Sequence, residues 1–192
     1  MTDPNSSSAL TTSTELNLRE SLGICPNQLT MTVLMSPDMA NLAGNVHGGS
    51  ILKLLDQVAY ACAARYAGGY VVTLSVDQVT FLKPVHVGEL LTLLASVNYT
   101  GRTSMEVGIK VLAEEIHKGV IRHTNSCFFT MVAVDAEGHS VPVRPLQPQT
   151  DEEHRRFRAA IERRTLRAEM APCPDKGKIR TFGSLNAVST RP

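Results

Sequence analysis

The chain has almost no net charge. Its 19 Lys and Arg stand against 18 Asp and Glu, giving +1 at pH 7, which argues against a protein built to neutralise nucleic-acid phosphates. It also lacks paired cysteines. Cys25, Cys62, Cys127 and Cys173 are scattered with no Cys-x-x-Cys spacing, so neither a zinc knuckle nor a redox motif is indicated, and reduced thiols are the simplest reading. No apolar run is long enough to cross a bilayer, and no basic region followed by a hydrophobic one opens the chain. These absences lead us to expect a cytoplasmic protein with neither a membrane nor a nucleic-acid partner. At 192 residues there is room for one domain with a sizeable core, plus tails.

What is present divides into four parts. Residues 1–27 are rich in Ser and Thr and read as a disordered tail. Residues 28–149 carry the folded pattern. Leu29 to Met35 alternates apolar and polar residues, as a strand does, and Ser36-Pro37-Asp38 ends it. Ile51, Leu54, Leu55, Val58, Ala59, Cys62 and Tyr66 then recur at helical spacing over about five turns, closed by Gly68-Gly69. From there to about residue 134 the period is near two. Val72, Leu74 and Val76 share one face, and the apolar phase switches at Val79 and Phe81, which suggests a bulge or a change of environment in mid-strand. Leu91 to Tyr99 and Met105 to Ala113 are strands joined by a hairpin at Thr100-Gly101-Arg102-Thr103, with Thr92, Ser96 and Asn98 read as solvent-facing and Glu106 and Lys110 as outward. A second hairpin near Lys118-Gly119 leads into Ile121–Val134. The order strand, long helix, four strands implies an α+β fold, an antiparallel sheet of about five strands wrapped around one central helix. In residues 150–170, Thr150-Asp-Glu-Glu153 reads as the capping box of a basic C-terminal helix, whose arginines are expected mainly on a solvated face. Residues 171–192 read as a second disordered tail.

The stretch from Asn41 to Asp56 draws attention. A small-residue loop with Gly48 and Gly49 runs into a helix N-terminus, where unpaired amides can hold an anion or polarise a carbonyl oxygen. Asp56 follows two turns on, among Leu52, Leu55 and Ala59, where an ionised carboxylate is expected to be poorly solvated unless something uses it. The plain alternatives are a surface Asp56 paired with Lys53 and an Asn41 that only shapes a turn.

Asn41-x-x-Gly44-x-Val46-His47-Gly48-Gly49 followed by Asp56 resembles the active-site segment of the hotdog-fold acyl-CoA thioesterases, in the acyl-CoA hydrolase branch. Further similarity runs through Thr73–Phe81, Thr103–Glu106, Phe128-Phe129-Thr130 and Pro142–Glu153, covering roughly residues 29–168. The resemblance implies hydrolysis of fatty acyl-CoA thioesters to free acid and coenzyme A without a cofactor. It also implies active sites between paired hotdog units, so a homodimer at least, with tetramers and hexamers open. Asp56 would be general base or nucleophile, and Asn41 of a partner subunit would position the water or the carbonyl. Gly48 and Gly49 would polarise the carbonyl, and Arg102 and Ser104 would meet the coenzyme A phosphates. His47, as an imidazole, is the lesser candidate for acid–base work; no second His or acid stands at metal-ligand spacing from it. A hotdog acyl-thioester dehydratase or hydratase and a non-catalytic acyl-CoA-binding module are the alternatives.

Overall fold

A computed structural model of the protein describes residues 25–170. The expected C-terminal tail, with Cys173, and the expected N-terminal tail up to residue 24 lie outside the described residues. In chain order the elements are β1 (Gln28–Leu34), a 3₁₀ turn (Pro37–Met39), α1 (Gly48–Ala67), β2 (Val71–Val76), β3 (Leu90–Thr100), β4 (Ser104–Glu115), β5 (Val120–Ala133) and α2 (Asp151–Met170). The strands form one sheet in the order β1-β3-β4-β5-β2, with every neighbouring pair antiparallel. No helix among the described residues is long and apolar enough to cross a membrane.

Helix α1 forms where its apolar spacing predicts. Ile51, Leu54, Leu55, Val58, Ala59, Cys62, Ala63 and Tyr66 are all buried against the sheet, and Gly68 ends the helix in the left-handed region at φ 73°, its amide donating to Ala64 O, a conformation glycine adopts without steric cost. The facing residues come from alternate positions of the strands: Leu91 and Leu93 of β3, Met105, Val107 and Ile109 of β4, Cys127, Phe129 and Met131 of β5. A central helix wrapped by a five-stranded sheet is the hotdog arrangement that the resemblance implies.

The opposite face of the sheet departs from expectation. Helix α2 starts at the predicted capping box, with Glu153 N donating to Thr150 Oγ1 at 3.2 Å and Thr150 N to Glu153 Oε2 at 3.2 Å. It then folds back across β3, burying Ala160 completely and setting Phe157 against Tyr99 at 5.5 Å between ring centroids. Ser96 and Asn98 are therefore buried rather than solvated. Glu106 points away from α1 as expected, yet it is only 3% exposed, because Arg163 and Arg167 of α2 both donate to its carboxylate. Arg167 also reaches Thr130 Oγ1 at 2.8 Å and Asp77 Oδ1 at 3.5 Å. So two of the helix's arginines hold the sheet instead of facing water. Removing one member of such a cluster leaves charge uncompensated. Glu106→Gln is expected to lower stability by about 3 kcal/mol, the low end for a broken buried pair, because the guanidiniums keep 24% and 29% exposure. Urea unfolding checks this as a lowered midpoint at an unchanged slope.

Two local expectations need correcting. Strand β2 ends at Val76, and residues 77–84 are irregular; the register shift lies earlier, between Thr73 and Ser75 against β5. The switch of apolar phase at Val79 thus marks the end of a strand rather than a bulge within one.

Candidate active site

The loop before α1 is organised by two side chains. Asn41 Oδ1 accepts from the amides of Ala43 at 2.9 Å and Asn45 at 3.1 Å, and Asn41 N donates to Asn45 O at 2.7 Å. The turn-forming role is real, and it commits the carbonyl end of the side chain. The amide end, Nδ2, has no partner among the described residues, so Asn41 faces any ligand as a donor only. His47 is the N-cap of α1, and its Nδ1 accepts from Gly49 N at 2.9 Å. An imidazole nitrogen here replaces the usual Ser, Asp or Asn oxygen.

That cap separates the two glycines, which lie inside the first turn of α1 rather than in the loop. The Gly49 amide is taken by His47, whereas the Gly48 amide has no acceptor among the described residues and remains open to a carbonyl oxygen. The Phe81 ring lies over Gly48, 3.6 Å from where a Cβ would stand. In neutral His47 the only ring lone pair is the one holding the cap, so the proton sits on Nε2.

Asp56 is exposed on α1 rather than enclosed by Leu52, Leu55 and Ala59: Leu55 and Ala59 are buried in the core, and Leu52 is itself 40% exposed. No lysine or arginine among the described residues lies within ion-pair distance, so the Lys53 pairing does not occur. Instead Thr73 Oγ1 of β2 donates to Asp56 Oδ1 at 2.7 Å. The second oxygen, Oδ2, has no partner among the described residues. Asp56 and Thr73 open onto a cavity of about 350 Å³, whose other walls are Gln57, Tyr60, Tyr70, Val71 and Val72. Tyr60 and Tyr70 meet edge to face at 6.0 Å.

Within one chain the structure does not bring the other expected residues to this cavity. Nine helical positions separate His47 from Asp56, roughly 13 Å along the axis, and Asn41 lies beyond His47 in the loop. Arg102 and Ser104 sit in the β3–β4 hairpin. There Thr103 O accepts from Ala133 N at 3.0 Å, and Ala133 pairs with Val71, so the hairpin stands two strand spacings, about 10 Å, from the cavity wall. Thr73, Tyr60 and Tyr70 were not singled out from the sequence. The available signal for Thr73 is a hydroxyl that opposes Val72 and Leu74 in a strand starting just after the helix stop. Thr73→Val removes the donor to Asp56 and keeps the volume; it is expected to lower whatever turnover Asp56 supports about tenfold to a hundredfold, with Thr73→Ser restoring most of it, both read as kcat.

Comparison with known proteins places this geometry. Residues 43–120 match the model of the thioesterase superfamily. The chain is 52% identical over 140 residues to protein VdlD of Helicobacter pylori, covering 73% of this chain and 80% of that one. Among solved structures it is similar to an apo-hexameric acyl-CoA thioesterase, at 37% identity and a TM-score of 0.74 over 77% of this chain and 94% of that one. It is also similar to an acyl-CoA hydrolase from Staphylococcus aureus in complex with butyryl coenzyme A, coenzyme A and coenzyme A disulfide, at 30% identity and a TM-score of 0.68 over 74% and 88%. That enzyme is also known in forms carrying alanine in place of an aspartate, an asparagine or a threonine.

Proposed function

The chain belongs to the thioesterase superfamily, and from that premise we propose that it hydrolyses acyl-CoA thioesters at the Asp56 cavity. The observation that carries the reading is the Asp56–Thr73 hydrogen bond at the mouth of an open cavity. Asn41, Asp56 and Thr73 also follow one another at the same intervals as the asparagine, aspartate and threonine replaced in the S. aureus enzyme.

The chemistry asks for few parts. Water adds to the thioester carbonyl, the C–S bond breaks, and the proton goes to the departing thiolate, giving free acid and coenzyme A. Asp56 Oδ2 either takes the proton of the attacking water or attacks the carbonyl itself, with water then cleaving the mixed anhydride. In both routes Thr73 fixes the carboxylate through Oδ1. The Gly48 amide of a second copy of the chain, at the positive end of that copy's α1 dipole, stabilises the oxyanion that develops on the carbonyl oxygen. Asn41 Nδ2 supplies the second donor.

Asn41 comes from another copy of the chain. Strand β2 is an edge strand with one side paired to β5, and its outward residues are apolar: Val72, Leu74 and Val76 are 37%, 58% and 44% exposed. An unpaired apolar edge is a template for a second strand, and a two-fold pairing there would carry the loop of one copy toward Asp56 of the other. The dehydratase alternative needs a histidine free to exchange protons beside the carboxylate, whereas His47 Nδ1 is committed to the cap of α1 through Gly49 N. Thiol release from acyl-CoAs of several chain lengths by the purified protein tests the function; absence of release across the series overturns it.

A further inference from the structure

The hairpin between β3 and β4 is built around a missing side chain. Gly101 N donates to Ser104 O at 2.7 Å and closes the turn. A Cβ at Gly101 would stand 2.9 Å from both Arg164 Nη1 and Ser104 Oγ, so glycine is what allows the guanidinium of α2 and the hydroxyl of β4 to converge over the turn. Arg164 is held there by Tyr99: Nη1 donates to the phenol oxygen at 2.6 Å, and Cζ lies 5.1 Å from the ring centroid. Tyr99 is in turn packed on Phe157 of the same helix. One of the five N–H donors of the guanidinium is used, and four remain.

The neighbourhood is cationic without compensation. Arg102 is a residue of the turn, and Val143 N donates to Arg102 O at 3.0 Å, while the next residue, Arg144, sets its guanidinium over the Tyr66 ring of α1 at 4.3 Å rather than over the turn. Among the described residues no carboxylate comes within 4.0 Å of Arg102, Arg144 or Arg164. Arg163 and Arg167, on the same helix, share Glu106. Helix α2 therefore carries two arginines that hold the fold and one, fixed by aromatic contacts above a glycine hollow, that has no carboxylate partner among the described residues.

We propose that Arg164 binds a phosphate of the coenzyme A nucleotide, together with Ser104 and Arg102, so that the C-terminal helix takes part in substrate recognition. The inference rests on the acyl-CoA reading above. The group recognised is a phosphate, for which an arginine fork and a hydroxyl are matched donors. The pantetheine arm is longer than the two-strand interval from hairpin to cavity, so it is long enough to join a nucleotide at the hairpin to a thioester at Asp56.

The test is calorimetric titration of the full chain with coenzyme A, dephospho-coenzyme A and pantetheine. Arg164→Gln is expected to weaken coenzyme A about tenfold or more and to leave pantetheine unchanged; Gly101→Ala, which crowds the same guanidinium, is expected to follow in the same direction. If the 3′-phosphate is the group held, dephospho-coenzyme A binds wild type as weakly as the variant binds coenzyme A. If the diphosphate is held, dephospho-coenzyme A suffers the same tenfold loss in the variant. Either pattern supports the proposal. Equal affinity of wild type and Arg164→Gln for coenzyme A overturns it, as does an equal loss for pantetheine, which marks a merely structural role. Turnover of acyl-CoA that is indifferent to Arg164 removes this inference and leaves the thioesterase reading standing. Arg164-dependent binding of coenzyme A without turnover does the reverse.

Discussion

Asp56→Ala is expected to lower the rate of thiol release from acyl-CoA by about a thousandfold, within the range lost when a positioned acid–base group is removed, and more if the carboxylate attacks directly. The fold should survive. Asp56 is exposed, so its removal opens no core cavity, and among the described residues its side chain forfeits one hydrogen bond, to Thr73, a change of about 1 kcal/mol. Asp56→Asn sharpens the test, because the amide oxygen can still accept from Thr73 while the base and nucleophile are gone; it should be as inactive as the alanine variant. A melt followed by circular dichroism separates lost chemistry from lost structure. Equal slow release by wild type and Asp56→Ala would remove Asp56 from the mechanism.

The second large effect is a recovery. Asn41→Ala and Asp56→Ala should each be inactive alone, yet mixing them under conditions that allow subunit exchange should restore about one quarter of wild-type activity. In a randomised mixture half of the dimers are mixed, and in each of those one of the two sites has both residues. A single-chain site predicts no recovery at all. The expectation follows from the distance between Asn41 and Asp56 along α1 and from the donor left free on Asn41 once its carbonyl oxygen has closed the loop. Sedimentation of the wild-type protein provides the companion measurement: a fully active monomer is incompatible with the shared site.

Much of this arrangement was legible in the sequence because its causes are local. The spacing of Ile51 through Tyr66, the helix stop at Gly68, the two hairpins and the Thr150–Glu153 capping box each lie within a few residues of the structure they specify. The misread positions have partners far along the chain. Ser96, Asn98 and Glu106 have the polarity of a solvated face, and nothing near them announces that a helix more than forty residues later folds back over them. Asp56 is likewise adjacent to Lys53 in sequence, whereas its partner Thr73 comes from β2. His47 invites a chemical reading as an imidazole beside two glycines, while its lone pair caps α1. Arg163, Arg164 and Arg167 are indistinguishable as letters; only the facing Glu106 and Tyr99 assign them different tasks.

The strand order has a kinetic consequence. Strands β3, β4 and β5 form a meander whose turns join neighbours in sequence, whereas β1 and β2, which flank α1, sit at opposite edges and pair with strands far from them along the chain. Loop-closure entropy favours assembling the meander first and docking the β1–α1–β2 segment onto it afterward. Asp56 and Thr73 both belong to that late segment. Strand β2 is held in place by its pairing with β5, so a chain collapsed around its meander alone lacks the Asp56–Thr73 hydrogen bond.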